Sequence, residues 1–383
     1  MKVGMAVKTG KCWSSCIVLI GLVSIVFLPP SLGFVLPKAS LIVNEENYVY
    51  FGEKCGTLSS SIDSTIPDGN PSLVDQGTSI SIRKYKHKGW NLSYLYKPPS
   101  PGNEMKAPIV LIHPVGIGLS SWFWEKLMEE YGSQEAGGNP AIYAVDLIGC
   151  GLENGSDKWD PEEEGLFFPL SWVQGVETLI QSVVLPECRK GKKDQSNSSG
   201  CVVVVQGGIA NVGVMLASRN PGSVVSRLIM TSPPIFQDMI NPVPQDELER
   251  NYNFLRSKIW GSLAFALLET RPIIRIFSNL ILFKEECDES WLDKTINGAY
   301  VEARTPIQAF NAGLLNHRSF EEELSTLEQP VLVLSGSSDK RNEDRNMYAT
   351  KMKNCTMRVL DGLNVLPYEN ARDTVEAIEK FSN

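Results

Sequence analysis

"CVVVVQGGIANVGVMLAS", residues Cys201 to Ser218, decides the fold. Four consecutive valines, Val202 to Val205, read as a strand buried on both faces of a parallel sheet. Ile209 to Ala217 reads as the helix that follows, so the chain turns sharply between them at Gln206-Gly207-Gly208-Ile209-Ala210. A strand that feeds straight into a helix is half of a βαβ unit, and the rest of the chain should repeat it.

It does. "SISIRKYKHKG" (Ser79–Gly89) and "WNLSYLYKP" (Trp90–Pro98) alternate apolar and polar residues across a Lys-Gly break, as an antiparallel hairpin would. The apolar runs "PIVLIHP", "AIYAVDL", "CVVVVQG" and "SRLIMTS" follow, separated by helical segments that begin near Ser121, Ser171 and Ile209. After Pro234 comes a helical stretch from Asp246 to about Leu327 without a strand signal, and the alternation then resumes with "PVLVLSG" and "TMRVLDG". The pattern predicts a mostly parallel, eight-stranded, doubly wound α/β sheet with an inserted helical cap over the carboxyl ends of its strands. Its parts are a core at 78–234, a cap at 235–327 and the rest of the core at 328–383.

Five local motifs in this order resemble the α/β-hydrolase superfamily, from about Ser79 to Asn383. "VLIHPVG" (Val110–Gly116) is similar to the loop that supplies an oxyanion amide, and "DLIGCG" (Asp146–Gly151) to the D-x-x-G-x-G loop. The Gln206–Ala210 turn is similar to the G-x-S-x-G nucleophile elbow. "VLSGSSD" (Val333–Asp339) resembles the loop carrying the triad acid, and "GLNVLPYEN" (Gly362–Asn370) the segment carrying the triad histidine. The cap stretch Phe277–Phe310 resembles the haloperoxidase and epoxide-hydrolase-like branch. "LIHPVGIGLSSWFW" and "DLIGCG" are most similar to a cyanobacterial and plant plastid group that lacks the nucleophile serine.

Carried onto this chain, the resemblance puts Gly208 at the nucleophile, Val365 at the histidine and Asp339 at the acid. Glycine offers no nucleophile and valine cannot carry a proton. Asp339 is therefore either a remnant of acid/base chemistry or a turn-fixing residue paired with Lys340 and Arg341. The chain has only two other histidines besides His113, which sits at the loop's structural position: His87 in the hairpin and His317 at the tail of the cap, the latter weighed as a base. Cys150 is the most plausible substitute nucleophile, although no group beside it would lower its pKa. Ser120, Ser121, Ser335, Ser337 and Ser338 lie on loops at the same end of the sheet and suit helix caps. Pro114 cannot donate an amide hydrogen, which leaves Val115 and Ile209 as oxyanion donors. The expected ligand pocket is His113, Val115, Gly116, Cys150, Gly207, Gly208 and Ile209, with more room at Gly208 than a serine would leave. On this placement, Gly208→Ser with Val365→His should rebuild a weak serine site.

A net charge of -8 argues against a nucleic-acid partner, and eight cysteines without a C-x-x-C suggest neither a metal site nor a disulfide scaffold. No cofactor is implied. Residues 1–43 read as a targeting leader or membrane anchor, with Lys2, Lys8 and Lys11 ahead of the apolar stretch Cys16–Pro37, and 44–77 as a linker. The leader's chemistry suits a secretory signal or anchor, in which case Asn91, Asn154, Asn197 and Asn354 become glycosylation acceptors. The resemblance of the folded part implies a chloroplast protein, possible partners being a membrane and an apolar small molecule or lipid.

Three functions are compatible with these residues. The first is a non-catalytic or altered binder of an apolar ligand such as a lipid, prenyl chain or pigment, for which the apolar cap stretch Trp260–Phe283 supplies a wall. The second is a plastid esterase acting on lipid or chlorophyll-type esters through a non-standard site. The third is an interaction scaffold with a vestigial pocket.

Overall fold

The computed structural model describes residues 41–43, 49–51, 80–131, 138–189, 200–220, 222 and 224–382. Two strands, β3 (Ser81–His87) and β4 (Trp90–Lys97), form the expected hairpin. Its two-residue turn places Lys88 and Gly89 at φ 46° and 91°, the left-handed pair that matches strand twist. The remaining strands of the sheet are β5 (Ile109–Ile112), β6 (Ile142–Val145), β8 (Cys201–Gln206), β9 (Val225–Thr231), β10 (Val331–Gly336) and β11 (Cys355–Leu360). Their order across the sheet is β11-β10-β9-β8-β5-β6-β4-β3. Neighbours from β6 to β11 run parallel, while β4 pairs antiparallel with both β3 and β6.

The valine strand is central, between β5 and β9, and all six of its residues are buried. Both faces are covered, which explains why it shows no polar alternation. On one face lie α2 (Leu170–Leu179) and α3 (Ala210–Arg219); on the other, α1 (Glu125–Glu130) packs against α11 (Ala371–Ser382).

Between β9 and β10 the described residues contain helices and no strand. They include α4 (Gln245–Arg256), α5 (Trp260–Leu268), α6 (Arg271–Phe277), α7 (Glu289–Asn297), α8 (Arg304–Asn311) and α9 (Glu321–Thr326). One π turn, Ser278–Leu282, extends α6. A short α10 (Leu366–Glu369) precedes α11.

Two strands lie where the sequence reads as leader and linker. β1 (Leu41–Val43) pairs with β2 (Val49–Phe51), which pairs antiparallel with β7 (Leu166–Phe168). Three-residue strands are too short to show a period of two, so pattern reasoning passes over them. The apolar stretch 16–37 and Asn197 lie outside the described residues.

Candidate functional site

The elbow has the expected strand–turn–helix shape but carries its strain one residue earlier than motif spacing suggests. Gln206 is still extended, at φ -104° and ψ 128°, and Gly207 takes the left-handed conformation at φ 69°. Gly207 through Ile209 then make one 3₁₀ turn into α3. Left-handed backbone strains any residue with a Cβ, so Gly207 is the residue that needs to be glycine.

The two glycines face different surroundings. A Cβ on buried Gly207 would meet nothing within 4 Å, whereas one on Gly208 would lie 2.5 Å from Phe310 Cζ and 2.8 Å from Cε2. The expectation of extra room at Gly208 is therefore corrected: the ring of Phe310, from α8 of the cap, occupies it. The open space belongs to Gly207.

The loop of Val365 is tied down by backbone and amide bonds. Val365 is buried at the start of α10, and the amides of Asn364 and Val365 both donate to Leu282 O of the cap, at 3.0 and 3.3 Å. Buried Gln206 bridges the elbow to this loop, its Nε2 donating to Asn364 O at 2.8 Å while its Oε1 accepts from Thr231 Oγ1 at 2.5 Å. Both ends of a buried amide are thus satisfied, and the loop is further held by the Glu369 carboxylate, whose Oε2 accepts from the Leu363 amide at 2.8 Å.

Asp339 is committed elsewhere. Its Oδ2 accepts from Arg345 Nη1 at 2.6 Å and its Oδ1 from the Arg341 amide at 2.9 Å. Arg345 is fully buried and also donates from Nε to Pro233 O at 2.6 Å. Burial pushes the Asp339 carboxyl up, but the Arg341 amide and the Arg345 guanidinium outweigh it and hold it below the usual carboxylate range. The turn-fixing role is the one its contacts fit, with Arg345 as principal partner rather than Lys340; Arg341 Nε stands off at 3.7 Å.

His113 is fully buried between two backbone groups. Its Nε2 accepts from Leu147 N at 3.2 Å, so the proton resides on Nδ1, which donates to Pro114 O at 2.8 Å. Burial lowers its pKa, opposed by nearby Asp146. It fixes the loop after β5 to the loop after β6. In the latter loop, burial pushes the Cys150 thiol well above its ordinary range, and Asp146 and Glu153 push it further. A thiol so held is a poor nucleophile. Val115 is buried beside this loop, and Gly116 packs on Leu119. His317 bonds through Nδ1 to Leu314 O at 3.0 Å, within the cap's own turn. Ser120 donates to Glu153, Ser121 N donates to Asp146 Oδ1 at 2.7 Å, and Ser337 Oγ donates to Asp361 Oδ1 at 3.0 Å.

An aromatic cluster fills the space between the cap and the loop after β5. Trp122, Phe283, Trp291 and Tyr368 meet edge to face, with ring centroids 5.0 to 6.1 Å apart. Polar bonds surround it: Lys126 to Asp288 at 2.5 Å, Tyr368 Oη to Asp288 Oδ1 at 3.0 Å and Lys284 Nζ to Asp361 at 2.8 Å. The backbones also touch, since a Cβ on Gly118 would sit 1.9 Å from Thr295 O. Sequence reasoning missed Phe310, Arg345 and this cluster. Only the close run Trp122-Phe123-Trp124 hinted at it, because partners far apart in the chain leave no local pattern.

Two open clefts, of about 280 and 600 Å³, lie elsewhere, one beside Trp159 and Arg256 and the other beside Lys126 and Arg372. Gly207, Gly208, Asp339 and Val365 line neither. Among the described residues no group of three His, Cys, Asp or Glu side chains is placed to hold a metal ion.

Residues 109–377 match the family model described as "Alpha/beta hydrolase family". Among solved structures, haloalkane dehalogenase DatA from Agrobacterium tumefaciens C58 is similar at 18% identity and TM-score 0.55, over 80% of this chain and 97% of that one. The serine hydrolase CarC, involved in carbazole degradation, is similar at 15% identity and TM-score 0.54, over 79% and 98%. Epoxide hydrolase CorEH is similar at 17% identity and TM-score 0.53, over 79% and 98%. At these identities the likeness is one of fold. A comparison with curated proteins finds no match.

Proposed function

The chain belongs to the alpha/beta hydrolase family, and from the state of its site we propose that it does not hydrolyse and instead holds an apolar ligand. The observation that carries the first half is the elbow itself. Both backbone positions at which a nucleophile could stand, Gly207 and Gly208, are glycine, and the loop opposite presents Val365. The acid position supports this reading, because Asp339 is bound to Arg345 and a histidine would find it already engaged. Fold alone does not bring the chemistry of DatA, CarC or CorEH to this chain.

The ligand half is supported by the space above Gly207 and by the apolar ring of Phe310 at the neighbouring Gly208. A side chain begun at buried Gly207 meets nothing within 4 Å, while the Phe310 ring from the cap stands against Gly208, the next residue. We take a space walled in part by a phenyl ring to suit a lipid tail, prenyl chain or pigment better than a polar metabolite. The leader would hold the chain at a membrane where such ligands are dissolved, in the chloroplast by the plastid resemblance.

Native mass spectrometry of the full chain extracted from its source tissue tests the ligand, which should appear as a stoichiometric apolar mass. A fluorophosphonate probe and short acyl esters test the loss of hydrolysis. Labelling or turnover by the unaltered chain would overturn it.

A further inference from the structure

We infer that this chain folds in a compartment without N-glycosylation, because its fold has no place for a sugar on Asn154. The sequence carries N-x-S/T acceptor triplets at Asn91, Asn154, Asn197 and Asn354. A glycan is bulky and must stand in solvent, so an acceptor that carries one lies at the surface. Asn91, Asn154 and Asn354 are among the described residues, and they differ in what their amide nitrogens touch. Asn91 and Asn354 are exposed; the Nδ2 of Asn91 donates to Asp157 Oδ2 at 3.1 Å and that of Asn354 to Glu328 O at 2.7 Å. An amide nitrogen has two hydrogens, so either residue can exchange one for a sugar and keep its bond.

Asn154 is different, because its Nδ2 donates twice and both acceptors belong to fully buried residues. Ser121 Oγ accepts at 3.2 Å and Asp146 Oδ2 at 3.1 Å. Asp146 also accepts from Ser121 N at 2.7 Å and from Ser93 Oγ at 2.6 Å. The packing around it is close, since a Cβ on Gly151 would lie 2.2 Å from Asp146 Cγ. A sugar carbon in place of either amide hydrogen must therefore push aside Ser121 or Asp146. These bonds tie β4, the loop after β5 and the loop after β6 together, and breaking them leaves polar groups buried without partners. The third residue of the triplet is committed as well: Ser156 is buried, and its Oγ accepts from Ser93 N at 2.9 Å. Between them Gly155 is left-handed, at φ 80°, so the triplet is a closed turn. Only the unfolded chain presents it to a transferase, and a sugar gained then prevents folding afterwards. A route through a glycosylating lumen would lose the chains modified at Asn154, whereas a chloroplast route would lose none.

The experiment forces the full chain into the wrong compartment. A cleavable secretory signal is placed ahead of it, and Asn91→Gln, Asn197→Gln and Asn354→Gln leave Asn154 as the acceptor. The chain is translated with endoplasmic reticulum microsomes, with and without a competing acceptor tripeptide, and lumenal chains are sorted by the mass shift of one glycan. Shifted chains should be digested by a protease several-fold faster than unshifted ones, and the tripeptide should restore resistance. Shifted chains as resistant as unshifted ones would overturn the inference, since the fold would then accommodate the sugar. Equal sensitivity of both, alongside resistance of the same chain made without microsomes, would overturn it too, because the sugar would not be what bars folding. So would lumenal chains that never shift, because the lumen would then pose no hazard. Peptide mass spectrometry of the chain from its source tissue supplies an independent reading: unmodified asparagine is expected at Asn91, Asn154, Asn197 and Asn354, and a glycan on any of them refutes the compartment.

Discussion

Phe310 occupies the place where a side chain on Gly208 would begin, its ring edge 2.5 Å from that Cβ position. A serine there must displace the ring, and overpacking of this kind costs about 1–3 kcal/mol. Gly208→Ser should therefore lower urea stability, and Phe310→Ala should relieve part of the loss. The two changes should couple favourably by about 0.5–3 kcal/mol in a double-mutant cycle. Strict additivity would show that the ring yields without cost. By contrast, Gly207→Ser finds open space and should cost only the left-handed strain of about 1–2 kcal/mol, with no dependence on Phe310.

The double change Gly208→Ser with Val365→His should stay silent to a fluorophosphonate probe, against the expectation drawn from the motifs. Its serine meets Phe310, its histidine sits on a segment bonded to Leu282 O, and Asp339 is held by Arg345. Triad groups act as a unit, so one misplaced member removes nearly all of the gain. Covalent labelling of the folded double variant, located by peptide mass spectrometry at the serine introduced in the elbow, would refute the geometry described.

How much of this was legible follows from the range of the interactions. The valine strand, the hairpin, the helical stretch before the last two strands and the mostly parallel sheet could be read, because periodicity and turn chemistry act over a few residues. The motif spacing also brought the right loops together: Gln206 does reach Asn364, and the Asp339 loop does follow β10. What the spacing could not give was a one-residue difference in where the turn is strained, which depends on φ at Gly207. Nor could it give Phe310 at Gly208 or Arg345 at Asp339, since side-chain contacts across the cap and within a buried loop leave no local pattern.

Removing the Asp339 carboxylate should expose the cost of a buried guanidinium. Arg345 is fully buried, and breaking such a pair from one side costs about 3–5 kcal/mol, whereas replacing both partners with apolar residues costs much less. Asp339→Asn should thus destabilise more than Asp339→Leu with Arg345→Met, as read by chemical unfolding. The pH dependence has a definite sign. The folded pKa of Asp339 is depressed, so its contribution is present above the unfolded value of about 3.9 and is lost as pH falls through the folded value. Asp339→Asn should flatten that acid limb. An unchanged limb would mean that the pair contributes nothing.

His87 should dominate a different pH window. Burial, aided by Lys88, lowers its pKa to about 4, and its Nδ1 lies 2.7 Å from Thr178 Oγ1. A neutral histidine in the folded state binds fewer protons than in the unfolded one. Its contribution is therefore full above the unfolded value of about 6.5 and declines as pH falls toward the folded value. Melting temperature should drop progressively from pH 6.5 to pH 4, and His87→Gln should remove much of that slope. A wild-type chain with flat stability across this interval would show that His87 takes up a proton without leaving its site.

Cys150 gives the sharpest check on the substitute-nucleophile reading. Burial, with Asp146 and Glu153 adding to it, raises its pKa well above the ordinary thiol range, so the thiolate fraction at neutral pH is far below that of a free cysteine. Iodoacetamide reacts with the thiolate, and access requires opening of the Gly149–Gly151 turn, where glycines at φ 84° and 71° flank Cys150. Peptide mass spectrometry after a short native pulse should find Cys150 unmodified, while the same pulse in urea should label it fully. Cys150→Ala should accordingly leave every property of the folded chain unchanged except a small loss of stability from one missing buried sulfur, about 1 kcal/mol. Native labelling faster than that of half-buried Cys188 would mean that a group in this loop activates the sulfur, and the chain would then have a nucleophile after all.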